Sequence, residues 1–118
     1  MYNNCSLNLQ IVLYDTYGDG WRGNTISIIN SNHQTIKKNI SLSNGYGPEQ
    51  ISFPISVLEK YILINYNSKN MHSYENYYHV FIDGKLVFKT KEHENPPEIA
   101  RIPIGHEEGY STITDICS

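Results

Sequence analysis

An all-β chain, folded as an antiparallel β-sandwich or jelly roll of about eight short strands, is expected from three features of the sequence. Apolar and polar residues alternate over short runs, which is the period of a strand with one buried face. Clusters of Gly, Asn, Asp and Pro punctuate those runs. Ile, Asn and Tyr are used heavily while alanine occurs once, at Ala100, a usage that disfavours helix and suits strands. No segment carries a helical period. A length of 118 residues supplies one core of modest size, so residues 1–118 are read as a single domain.

Leu7, Leu9, Ile11 and Leu13 share one face of the first expected strand. Ile26 and Ile28 do the same within residues 25–29, and residues 35–40 follow after Asn30-Ser31-Asn32-His33, a hairpin-type cluster. Beyond the breaker Asn44-Gly45-Tyr46-Gly47-Pro48, strands are expected at 50–55 and 61–66, the first held to a sheet edge or its own end by Pro54. Residues 67–76 are polar and aperiodic and read as a long loop. Strands at 77–82 and 86–89 flank Asp83-Gly84, the strongest hairpin signal in the chain, so Asp83 is read as a turn residue. Residues 99–104 and 110–116 complete the count.

A formal net charge of -3 with scattered basic residues offers no nucleic-acid footprint. No apolar run is long enough to insert into a bilayer. The opening Met1-Tyr2-Asn3-Asn4 fits both a cytosolic start and a start exposed by removal of a signal peptide. Cys5 and Cys117 admit one pairing, with two unrelated thiols as the alternative. A bridge between them would stabilise by roughly 4 to 5 kcal/mol on loop entropy and would place the domain outside a reducing cytosol.

The stretch Asp15-Thr16-Tyr17-Gly18-Asp19-Gly20-Trp21-Arg22-Gly23-Asn24 carries the clearest chemistry. With Asp15 at position one of a calcium loop, Asp19 falls at five and Gly20 at six, but Tyr17 at three and Ile26 at twelve exclude an EF-hand. Calcium still suits such a segment, because it takes six to eight oxygens in tolerant geometry and glycines let carbonyls turn inward. The plain alternative is a turn in which both aspartates bond neighbouring amides.

Cys5, an apolar strand, Asp15-x-Tyr17-Gly18-Asp19-Gly20-Trp21-x-Gly23-Asn24 and a second strand resemble a small β-sandwich module of secreted and surface proteins, marked by Asp-x-Tyr-Gly-Asp-Gly-Trp-Asn-Gly. The resemblance implies a later glutamate, matched by Glu75, then a strand matched at Tyr78 and Val80, a turn at Asp83-Gly84 and a closing cysteine at Cys117. Arg22 departs from the usual Asn, and His72-Ser73 from the usual Trp-Asp, which removes one carboxylate. On this basis Asp15, Asp19 and Glu75 are the expected calcium ligands, Asn24 and loop carbonyls the accessory ones, with Gly18 and Gly20 bending the loop and Trp21 anchoring it.

His33, His72, His79, His93 and His106 lack any zinc-type spacing, and neither a phosphate loop nor a nucleophile elbow is present. An enzyme is not expected; a glycan-acting carboxylate pair built from Glu75 with Asp15 or Asp19 is the form one would take. Tyr46, Tyr74, Tyr77 and His72 are the candidate ligand-binding residues, since exposed aromatic rings suit a glycan or a protein surface. Tyr61, Tyr66 and Tyr78 are assigned instead to the core or its margin. The leading expectation is a binding or adhesion module at an extracellular, cell or virion surface, a cytosolic location being the alternative. A structural component of a surface layer, fibre or viral particle is the competing class.

Overall fold

A computed structural model describes residues 6–69 and 73–104. Eight strands are formed: β1 (Ser6–Asp15), β2 (Thr25–Asn30), β3 (Thr35–Ile40), β4 (Glu49–Ser56), β5 (Tyr61–Asn67), β6 (Asn76–Ile82), β7 (Lys85–Lys89) and β8 (Ile99–Pro103). They build two four-stranded sheets, β4-β1-β6-β7 and β3-β2-β5-β8, in which every pairing is antiparallel. The expected β-sandwich is thus the observed architecture, and the strand order does not specifically mark a jelly roll. The expected disulfide between Cys5 and Cys117, the strand at 110–116, and His72 and His106 lie outside the described residues.

One buried cluster joins the sheets. Leu9, Ile11 and Leu13 from β1 and Tyr78 and Val80 from β6 meet Ile26 and Ile28 from β2 and Ile62 and Ile64 from β5. Each such side chain stabilises by roughly 1.5 to 3 kcal/mol against its exposed state. A register slip of one residue would turn this whole set outward, which is why alternation fixes the pairing. Edge positions read just as directly. β4, the strand with Pro54, is an edge strand, and the other edges carry Lys37 and Lys38 on β3, Lys85 and Lys89 on β7, and Arg101 and Pro103 on β8.

Two hairpins behave as their residues dictate. Asn30 Oδ1 accepts from the backbone N–H of Asn32 and of Gln34, both at 2.9 Å, closing the β2–β3 turn. Asp83 and Gly84 take φ of 50° and 82°, as a two-residue β6–β7 turn requires, and Asp83 Oδ1 accepts from Asn8 N–H at 2.8 Å. Asp83 is a turn residue that also fastens the hairpin to β1.

Strand direction alternates, so connections divide between two ends of the sandwich. The β2–β3, β4–β5 and β6–β7 connections are tight. Segments 16–24, 41–48, 68–69, 73–75 and 90–98 lie at the opposite end, where Trp21 N–H donates to Leu42 O at 2.8 Å and, from the end of β5, Tyr66 N–H to Glu98 O at 2.9 Å. The aspartate-rich stretch belongs to this end. Among the described residues no helix is long and apolar enough to cross a membrane.

Candidate metal centre

Asp15 ends β1 with its carboxylate turned into the following loop. Its Oδ2 accepts from Gly18 N–H at 2.8 Å and Asp19 N–H at 2.7 Å, which is the amide-bonding role an aspartate plays in a turn. Two glycines are then needed for specific reasons. Gly18 has φ of 92° and a Cβ there would lie 2.5 Å from the Tyr46 ring; Gly20 has φ of 78° and its Cβ would lie 2.7 Å from Ser43 O. The loop is therefore pressed against segment 43–46, with Gly20 N–H donating to Gly45 O at 3.1 Å.

Trp21 supplies the grip on this segment. It is fully buried, its Nε1–H donates to Tyr14 O at 2.7 Å, and its ring meets Tyr66 edge-on with centroids 5.8 Å apart. The stretch is thus anchored by Trp21, the largest fully buried side chain among the described residues.

Glu75 arrives from the other side on a single 3-10 turn, Ser73–Glu75, immediately before β6. Its carbonyl accepts from Thr16 N–H at 2.9 Å, which fixes this turn against the start of the aspartate loop. One carboxylate oxygen from each of Asp15, Asp19 and Glu75 then lies within 4.8 Å of the others. Asp15 and Glu75 are buried and Asp19 is half-buried. Among the described residues Asp15 Oδ1 and Asp19 Oδ1 are buried without a hydrogen-bond partner.

Electrostatics separate the two aspartates. Burial, reinforced by the neighbouring Asp19 carboxyl, raises the Asp15 carboxyl above the ordinary carboxylate range, partly opposed by the amides of Asp19, Tyr17 and Gly18. Burial pushes Asp19 the same way, but a hydrogen-bonded ion pair with Arg22, Nη1 to Oδ2 at 2.9 Å, together with the Asp15 carboxyl, outweighs it and holds Asp19 low. Arg22 thus occupies one oxygen of a clustered residue, a role the sequence pattern alone did not give it.

Asn24, expected as an accessory ligand, is fully buried, and its side-chain oxygen accepts from Lys69 N–H while its carbonyl accepts from Ser41 Oγ at 2.8 Å. It ties the β1–β2 loop to Ser41 and Lys69. Tyr46 and Tyr74 are exposed at the loop end, joined by Tyr17, which is 70 % exposed and which the sequence had not distinguished as a binding residue. Tyr77 is elsewhere. It lies opposite Tyr14 on the outer face of the sheet, rings 4.7 Å apart and 6° from parallel, with His79 tilted against both.

Among the described residues all the candidate donors are oxygens, with no imidazole or thiolate in the cluster. Such a set suits hard cations of the calcium or magnesium type more than zinc or copper. Comparison of the chain with protein-family models, with curated proteins and with solved structures found no match.

Proposed function

We propose that this chain is a non-catalytic, calcium-stabilised binding or adhesion module of a secreted or surface protein. The observation that carries the reading is the convergence of Asp15 and Asp19, at the end of β1 and in the loop after it, with Glu75 from the turn before β6, and with buried aspartate oxygens that lack hydrogen-bond partners among the described residues. Gathering carboxylates away from water is unfavourable unless protons or a cation offset their charge. Calcium would supply that charge through Asp15 Oδ1, Asp19 Oδ1 and the Glu75 carboxylate, leaving Asp15 Oδ2 to hold its turn. The ion would join the β1–β2 loop to the turn before β6. Its role is structural: it stiffens the end of the sandwich from which Tyr17, Tyr46 and Tyr74 project.

Oxygens gathered within 4.8 Å suit a shared ion better than two-carboxylate glycoside hydrolysis, where the groups stand about 5 to 9.5 Å apart. Lysine, arginine or proline on every edge strand also works against edge-to-edge assembly, which favours a binder over a fibre or layer subunit. A calcium-supported array of immobilised glycans and proteins tests the function. We expect ligand capture that is weakened by chelation and by Tyr46→Ala or Tyr74→Ala; an array that stays blank, or capture indifferent to both, contradicts it.

A further inference from the structure

We infer that the open cleft at the end of the β3-β2-β5-β8 sheet is a binding site for a neutral oligosaccharide. The proposal rests on the binding-module reading above and names a ligand class for it, at a place distinct from the carboxylates and the exposed tyrosines. The cleft encloses about 800 Å³, within the range of small-ligand sites. Its walls come from the start of β2, the ends of β3 and β5, and the β7–β8 connection.

Three asparagines from three elements line it, Asn39, Asn67 and Asn95, and Asn67 Nδ2 also donates to Thr25 Oγ1 at 3.4 Å. Each carboxamide carries two donors and an acceptor in one plane, a frame that matches adjacent hydroxyls on a sugar ring. Asn39 is brought there by an irregularity. Ile26 pairs with Ile40 and Ile28 with Lys37, so Lys38 and Asn39 together oppose Ser27, and Asn39 adopts a φ of 59°. Bulges of this kind re-aim a side chain, and Asn tolerates the left-handed backbone better than most residues.

The charges point the same way. Lys69 and Glu98 are the two ionic residues of the lining and they are of opposite sign, so neither an anionic nor a cationic ligand is favoured. An apolar ligand would find mostly polar walls, whereas sites for such ligands are mostly apolar.

The test is a two-dimensional NMR titration of the 15N-labelled protein, in calcium, with maltotriose, cellotriose, triacetylchitotriose and mannotriose. We expect saturable shifts of the Asn39, Asn67 and Asn95 side-chain amides with at least one probe. Asn67→Ala and Asn39→Gly, the latter compatible with the left-handed backbone, should each weaken binding about tenfold, as loss of a hydrogen-bonding pair does, with no loss of melting temperature. Lys85→Ala, an exposed position on the other sheet, should leave the affinity unchanged. Absence of saturable shifts at concentrations on the order of 10 mM, or shifts confined to Tyr17, Tyr46 and Tyr74, overturns the cleft. The melting temperature of the same samples with and without calcium reports on the metal separately. A calcium response with no saccharide binding removes the cleft alone, and saccharide binding with no calcium response supports the cleft while removing the metal.

Discussion

Asp15 divides its two oxygens. Oδ2 holds the turn by accepting two amides, and Oδ1 is buried without a hydrogen-bond partner among the described residues. The turn role and the proposed metal role, which are alternatives when read from sequence, are therefore compatible in one side chain. Arg22 competes at the neighbouring residue. Its guanidinium holds Asp19 Oδ2, so replacing it should free that oxygen and remove a positive charge near the cluster. Arg22→Asn is expected to raise calcium affinity by roughly threefold to tenfold, the scale of about 1 kcal/mol for a partly exposed charge. Calcium titration of the variant followed by Trp21 fluorescence measures this, and an unchanged or weaker affinity contradicts the competition.

At the scale of elements, the strands were legible because alternation and turn chemistry agree in them. Leu9, Ile11 and Leu13 are buried as their spacing requires, Pro54 lies on an edge, and Asp83-Gly84 forms its hairpin. Segment 43–47 was legible only as a breaker, because what it does depends on a neighbour distant in sequence. Gly47 takes φ of 84°, and a Cβ there would lie 2.3 Å from Leu13 O. Gly47→Ala should therefore cost about 2 to 4 kcal/mol, whereas Gly23→Ala, with φ of 88° and open space around it, should cost about 1 kcal/mol. Urea unfolding of the pair checks the ordering; equal costs would show that backbone conformation alone matters at both sites.

The outer face of the β4-β1-β6-β7 sheet makes an element-scale prediction about pH. His79 lies against Tyr14 and Tyr77, and burial, with Lys89 adding to it and Glu92 opposing, depresses its pKa below the ordinary value of 6.5. A depressed folded-state pKa means the unfolded chain binds the proton more readily. The stability contributed by the neutral ring is present above pH 6.5 and is lost as pH falls through the folded-state value. His79→Gln should flatten that part of the stability profile. Denaturation at successive pH values compares the two chains, and identical profiles would sink the assignment.

For the whole molecule, the governing feature is a division of labour between the two ends. One end is closed by short turns. At the other, four longer segments bring together the carboxylates, the exposed tyrosines and the amide-lined cleft. The carboxylates were legible in part, Asp15 and Asp19 from their glycine-rich setting and Glu75 through a family resemblance. Asn39 and Asn95 were not, because amides in loops and bulges resemble any other polar surface until the fold collects them. Asn24 was expected as an accessory ligand through the same resemblance, and its bond to Lys69, a tie between loops, has no local pattern that would display it.

The cation is the claim on which this account turns, and calorimetric titration of the chelator-stripped protein with calcium tests it most directly. The account predicts one ion bound per chain, with binding abolished in Glu75→Gln and in Asp15→Asn. At a hundredfold excess over its dissociation constant that ion should add about 2.7 kcal/mol of stability. A titration without heat in the wild-type protein, accompanied by a melting temperature unmoved by calcium, would contradict it.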